Sequence, residues 1–186
     1  MKLYWSDVLK PRSACAVAKY LESPVEYVYV DLGRGEQRRP DYLALNPNGK
    51  VPTLVDGALA LWEADAIMCH LAARCDSELW PQDARQTEAI RWFSWNHQHF
   101  TQPGGALYFE HIIRPRFGLG EADAAEVERA LHEWRRAAAV LDGHLQHRNY
   151  VVGDSLAEFP AVQRWHERMN ELEAWREPFP EIAVAA

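Results

Sequence analysis

The spacing of apolar and polar positions changes several times along the chain, and each change predicts an element. "KLYW" (2–5) reads as a short strand. With Pro11 as the first helical residue, Ala14, Val17, Ala18 and Leu21 fall at helical spacing and predict a helix to about Glu22. "VEYVYVDL" (25–32) is rich in β-branched and aromatic residues and predicts a second strand. "PDYLAL" (40–45) reads as a short helix ending at Asn46-Pro47. "PTLV" and "ALAL" flank Asp56-Gly57, a pair suited to a tight hairpin turn. Ala64, Ile67, Met68 and Leu71 then mark a helix from Glu63 to about Arg74. The order β-α-β, α, β-β-α predicts a small mixed sheet of four strands with helices packed on it, its first two strands parallel.

Beyond a linker at "CDSELWPQD" (75–83) the pattern is helical. Ala84 to Phe100 carries Ile90, Trp92, Phe93 and Trp95. "QPGG" (102–105) is expected to kink or break that helix, and "ALYFEHII" to resume it as far as Arg114-Pro115. From Asp123, Val127, Leu131, Trp134, Ala138, Leu141 and Leu145 predict a long amphipathic helix. "NYVVGDSL" (149–156) reads as an extended loop, and Phe159, Val162, Trp165, Met169 and Leu172 as a last helix. Two domains are expected: an α/β domain over 1–76 and an all-helical domain over 83–186.

Composition is that of a globular protein, 48% apolar and 25% charged, without an apolar run of the length a membrane span needs. The N-terminus lacks the apolar core of a signal peptide, so the cytosol is the expected location. The net charge of −7 is unevenly spread: nine basic against eleven acidic residues over 1–78, eleven against sixteen over 79–186. The first segment is the better place to hold an anion, and no basic stripe suggests nucleic acid. Cys15, Cys69 and Cys75 form no C-x-x-C pair, which argues for free thiols and against a disulfide frame or zinc. His97 and His99 stand two apart on a predicted helix and face different ways, so no metal site is expected.

"NPNGKVPTLVDG" (46–57) places Pro52 at the first residue of a strand, directly after Val51. A proline there is either an ordinary strand start or part of a cis bond that turns the backbone groups of Val51 outward. This stretch resembles the N-P-x-G-x-V-P-x-L segment of the glutathione transferase family, in its bacterial-type members. "LWEADAIMCHLA" (61–72) resembles that family's L-x-E-S-x-A-I-x-x-Y-L helix start, "NYVVGDSL" its loop before a core helix, and "FPAVQRWHERM" (159–169) its last long helix. The four blocks lie in order over nearly the whole chain. The resemblance implies a thioredoxin-like α/β N-terminal domain, an all-α C-terminal domain, a homodimer, and glutathione as co-substrate with a small hydrophobic electrophile. It implies a cis Val51-Pro52 bond, with Val51 pairing in strand fashion with glutathione. Glu63 would meet the α-amino group of the γ-glutamyl unit, and the Ala64 N–H its carboxylate; as a residue alone, Glu63 is also a plain helix cap. Ala64 departs from the serine common there. Lys50 and Gln37 are candidates for the glycyl end, or for solvated surface.

The family's reaction needs a thiolate, and a thiol titrates near ~8.5. Lowering that by about two units takes about 2.7 kcal/mol of preferential stabilisation. The family's usual hydroxyl positions before the proline hold Leu9 and Lys10. Ser6 ranks first as a substitute, Lys10 second through its charge, with Ser13 a further candidate. Trp5, Tyr108 and His111 are candidates for the electrophile pocket, expected between the domains. The alternative class is a non-catalytic binding module of the same fold. A redox enzyme using its own cysteine is the weakest reading. After "GDSL" the family's pattern continues through a core helix of roughly 20 residues that is absent following Leu156, where "AEFP" comes at once. Either residues are missing from the sequence at this point, or the protein has lost the helix, or it repacks through dimer contacts or domain swapping. An intact mass well above 21.4 kDa would mark the first.

Overall fold

The computed structural model describes residues 1–148, 151–152, 171–177 and 179. The chain divides into two compact units, one built mainly on residues 1–82 with the described part of 171–179 packed on it, the other on 83–148 and 151–152. Among the described residues no helix is long and apolar enough to cross a membrane.

The first unit follows the expected order: β1 (Lys2–Trp5), α1 (Leu9–Tyr20), β2 (Glu26–Tyr29), α2 (Pro40–Leu45), β3 (Thr53–Asp56), β4 (Leu59–Trp62) and α3 (Ala64–Arg74). The sheet runs β2-β1-β3-β4, with β1 parallel to β2 and antiparallel to β3. Its core joins Leu3, Trp5 and Leu54 from the strands to Ala14, Cys15 and Ala18 of α1 and Ile67 and Leu71 of α3. Two boundaries differ from expectation. β2 is shorter than the apolar run 25–32, and α1 starts at Leu9 rather than Pro11. Pro11 then sits in the first turn, where no N–H has an intrahelical partner, so its missing donor is not felt. Asp56, at the end of β3, ties the hairpin to α3 through His70 Nε2 at 3.0 Å and Arg74 Nε at 3.6 Å. The His70 hydrogen bond holds the Asp56 carboxyl below the usual carboxylate range. Near the C-terminus α8 (Glu173–Arg176) packs against α1, Phe179 stacks on Trp5, and Lys19 Nζ donates to the Glu177 carbonyl.

In the second unit, of the kink or break expected at "QPGG", the break does not occur and the helix departs from α geometry just before Pro103. α4 (Arg85–Trp95) passes through a π-helical turn (Asn96–Thr101) into α5 (Gln102–Tyr108), and through another (Phe109–Ile113) into α6 (Arg114–Arg116). A π turn adds a residue per turn and carries the carbonyl behind Pro103 off the proline ring, which lets the rod continue. Gly104 lies against Trp134 of the long α7 (Ala124–Leu145), which Asp123 caps by accepting from the N–H groups of Ala125 and Glu126. The expected loop at 149–156 lies mostly outside the described residues, as do the missing-helix junction after Leu156 and nearly all of the last helix.

Candidate functional site

The strand register gathers the sequence candidates of the first unit. Tyr4 pairs with Thr53, and Thr53 with Trp62. At this end of the sheet β1 therefore runs on to Ser6 and the start of α1, the chain enters β3 from Val51-Pro52, and β4 runs out to Glu63 and the start of α3. Two helix N-termini, each carrying partial positive charge, lie at the same end as the proline loop.

The loop is held from beneath. The Val51-Pro52 bond is cis. Gly49 has φ +58, and a Cβ there would sit a tight 3.1 Å from the Gln37 carbonyl, so backbone conformation and space both favour glycine and Gln37 is placed beside the loop. The Gln37 Oε1 atom is buried without a hydrogen-bond partner. Three buried polar side chains support the turn: Tyr42 (6% exposed), Asn46 (2%) and Thr53 (0%). The Lys50 carbonyl accepts from Tyr42 Oη at 2.7 Å and from Asn46 Nδ2 at 2.8 Å. Asn46 Nδ2 also donates to Thr53 Oγ1 at 3.0 Å. Both amide hydrogens and the tyrosine proton are thereby used, so across the 2.9 Å Tyr42–Thr53 contact the threonine donates. Asn46 Oδ1 accepts from the backbone and side-chain nitrogens of Asn48 at 3.0 and 3.1 Å. Burial raises the Tyr42 hydroxyl above its ordinary range, so it stays a donor at neutral pH. No hydrogen bond of the Val51 backbone occurs among the described residues, while its side chain packs with Val30 and Tyr42.

Glu63 is exposed and adopts φ 71, ψ 124, a region glycine favours. Its carbonyl accepts the Ile67 N–H at 3.0 Å, but its carboxylate makes no cap hydrogen bond, so the plain-cap alternative loses its support. A strained non-glycine residue kept at a helix start fits a functional constraint. Ala64 follows as the first residue of α3. Lys50 is exposed beside Val51.

The thiol-activating candidates differ in access. Ser6 is 2% exposed, and its hydroxyl donates to Asp7 Oδ1 across a long 3.4 Å. Lys10 is exposed in the first turn of α1, and Ser13 is half-buried one turn on. Trp5 is a core residue, 2% exposed, edge-on to Tyr29 and stacked on Phe179. Tyr108 ends α5, half-buried. His111 is exposed in the second π turn and edges a surface groove of about 510 Å³ with Val127, Leu131, His132 and Arg135. The described residues that line that groove all belong to the second unit.

Burial pushes the Cys15 thiol up to about 12, and burial followed by the Asp65 charge pushes Cys69 up to about 11. Neither is ionised at neutral pH, which removes Cys15 as a nucleophile. Cys75 alone among them is exposed. A thiol-specific dye at pH 8 is therefore expected to label one cysteine rapidly in the native protein and three after denaturation. Fast labelling of Cys15 would contradict this packing.

The family model "Glutathione S-transferase, N-terminal domain" matches residues 3–73. Glutathione S-transferase 3 of Zea mays is 35% identical over 163 residues, covering 86% of this chain and 72% of that protein. The chain belongs to the glutathione S-transferase family. The theta class glutathione S-transferase from the citrus canker pathogen Xanthomonas axonopodis pv. citri, solved with glutathione bound, superposes with a TM-score of 0.82 at 26% identity, covering 98% of both chains. The thioredoxin-like α/β domain followed by a helical part is thus the family's architecture. Glutathione S-transferase hmp2 of Hypomyces subiculosus is 28% identical over 204 positions, covering 94% of this chain and 95% of that protein. Because 204 exceeds the 186 residues here, at least 18 positions of that transferase have no counterpart.

Tyr42, Asn46 and Thr53 went unmarked in the sequence. Their one signal was two polar side chains bracketing a glycine-proline loop in an otherwise apolar strand entry.

Proposed function

We propose that this transferase joins the thiolate of glutathione to a small hydrophobic electrophile, as a cytosolic homodimer. The observation that carries the reading is the convergence, at one end of the sheet, of the Val51-Pro52 loop, the Glu63 carboxylate, which makes no pairing among the described residues, and the N-terminus of α3. Glutathione would lie along Val51, its ammonium at Glu63 and its γ-glutamyl carboxylate at the Ala64 N–H. Its glycyl carboxylate would fall towards Lys50 and Gln37. The sulfur would come to the start of α1. There the helix N-terminus and the Lys10 ammonium favour the thiolate, with Ser6 and Ser13 as hydroxyl donors. The thiol proton leaves to solvent. The sulfur lone pair then forms the new S–C bond, and a leaving group such as halide departs with the electrons of the bond it breaks. Attack on a peroxide instead would cleave the O–O bond, release an alcohol and leave a sulfenic sulfur that a second glutathione reduces. Tyr108 and His111 are the candidates for contacting the electrophile.

Retention on immobilised glutathione, followed by turnover of a generic aromatic halide, tests this. Both are expected. Retention without turnover of halide or peroxide would instead support the binding-module class, which the leucine and lysine at the usual hydroxyl positions favour. Absence of both would overturn the site.

A further inference from the structure

We infer that Tyr42 is a positioning residue for glutathione: with Asn46 it fixes the plane of the Lys50–Val51 peptide and so aims the Val51 N–H out of the protein. The inference rests on the proposed site. The Lys50 carbonyl and the Val51 N–H belong to one peptide unit. In a planar trans peptide they point in opposite directions. Among the described residues the only cis bond is Val51-Pro52, so this unit is trans. Two donors at 2.7 and 2.8 Å draw the carbonyl into the protein, and the N–H is turned the other way.

Four features make this more than loop packing. The donors come from α2 and its C-terminal end, elements outside the proline loop, so the orientation is imposed on the loop from the fold. Every hydrogen of the Tyr42, Asn46 and Thr53 polar groups has an acceptor in one consistent arrangement, which leaves the peptide a single low-energy tilt. The tyrosine ring is itself clamped, edge-on to Tyr4 at 5.8 Å between centroids and in contact with Val30 and Val51. The Val51 backbone is left without a protein partner among the described residues, as a strand-like ligand requires.

The test is calorimetric titration of glutathione into the full chain, with steady-state kinetics beside it. Tyr42→Phe is expected to weaken glutathione binding about three- to tenfold, the worth of one hydrogen bond. KM for glutathione should rise in step, while kcat at saturating glutathione moves less than twofold. A purely structural role would lower the melting temperature and the active fraction and leave the glutathione Kd unchanged. Asn46→Leu, which removes the other donor to the Lys50 carbonyl at similar side-chain volume, should weaken binding at least as much and serves if Tyr42→Phe does not fold. Unchanged glutathione affinity in Tyr42→Phe or in Asn46→Leu, with wild-type binding intact, overturns the inference and leaves the site standing. Failure of the wild-type protein to bind glutathione overturns both.

Discussion

Replacing Glu63 with alanine is expected to weaken glutathione binding roughly ten- to a hundredfold. A hydrogen bond to a charged group contributes about 1.5–3 kcal/mol, and each 1.4 kcal/mol or so is a factor of ten in Kd. The carboxylate is free to make that contact because it neither caps α3 nor pairs with another described residue. The backbone at this position supplies a second, independent readout. At φ 71, ψ 124 a side-chain-bearing residue is strained by about 1–3 kcal/mol, and glycine is not. Glu63→Gly should therefore lose glutathione as fully as Glu63→Ala. It should nevertheless melt a few degrees above the alanine variant, the gain being reduced by the roughly 0.5–1 kcal/mol that glycine loses in chain entropy. Binding and stability move in opposite directions only if the strain is kept for function. Wild-type affinity in Glu63→Ala, measured by titration, would remove Glu63 from the site.

What the chain's pattern revealed and what it concealed divide along a physical line. Elements whose signal is local came through: the β-α-β order, the Asp56-Gly57 hairpin, and α3 from Ala64 to Arg74. The cis bond before Pro52 was expected from the resemblance, since isomer preference is not written in two residues. Misreadings arose where a local rule was relieved by context. Pro103 was expected to kink or break its helix, and the chain instead runs through a π turn before it and stays helical. Trp5 was a candidate pocket wall because an aromatic beside a loop is ambiguous, and it lies in the core cluster, 2% exposed, with Phe179 from far along the chain stacked on it. Tyr42, Asn46 and Thr53 were illegible for the same reason. A buried polar network exists only once α2 and the proline loop are brought together, and until then its members look like surface.

The largest loss of stability among the described residues outside the apolar core is expected at Glu110. This carboxylate, 4% exposed, accepts the Asp123 N–H at 2.8 Å and lies 2.6 Å from Arg114 Nε. The Arg114 Nε–H is not aimed at an acceptor, so the contact is an ion pair rather than a hydrogen bond. Arg114 also donates from Nη1 to the Leu119 carbonyl at 3.1 Å and lies over Phe109. Glu110 thus fixes both ends of the connection into α7, while the Asp123 side chain satisfies the first turn of that helix. The arrangement divides a capping box between two elements, with the returning acceptor supplied by the preceding π turn. Glu110→Ala leaves the Asp123 N–H without its acceptor and the guanidinium without its counter-charge. Breaking a buried pair costs about 3–5 kcal/mol. Because Arg114 is 27% exposed and water can reach it, the lower end applies. At about 2–4 °C per kcal/mol for a chain of this size, the melting temperature should fall by roughly 6–12 °C. Glu110→Gln keeps an acceptor for Asp123 and should fall by less. The double variant Glu110→Leu with Arg114→Met removes both charges, and should be more stable than Glu110→Ala if the stranded charge is what destabilises. A double variant less stable than Glu110→Ala would instead assign the effect to the Asp123 hydrogen bond and the packing around it, and the ion pair would have no part in holding α7.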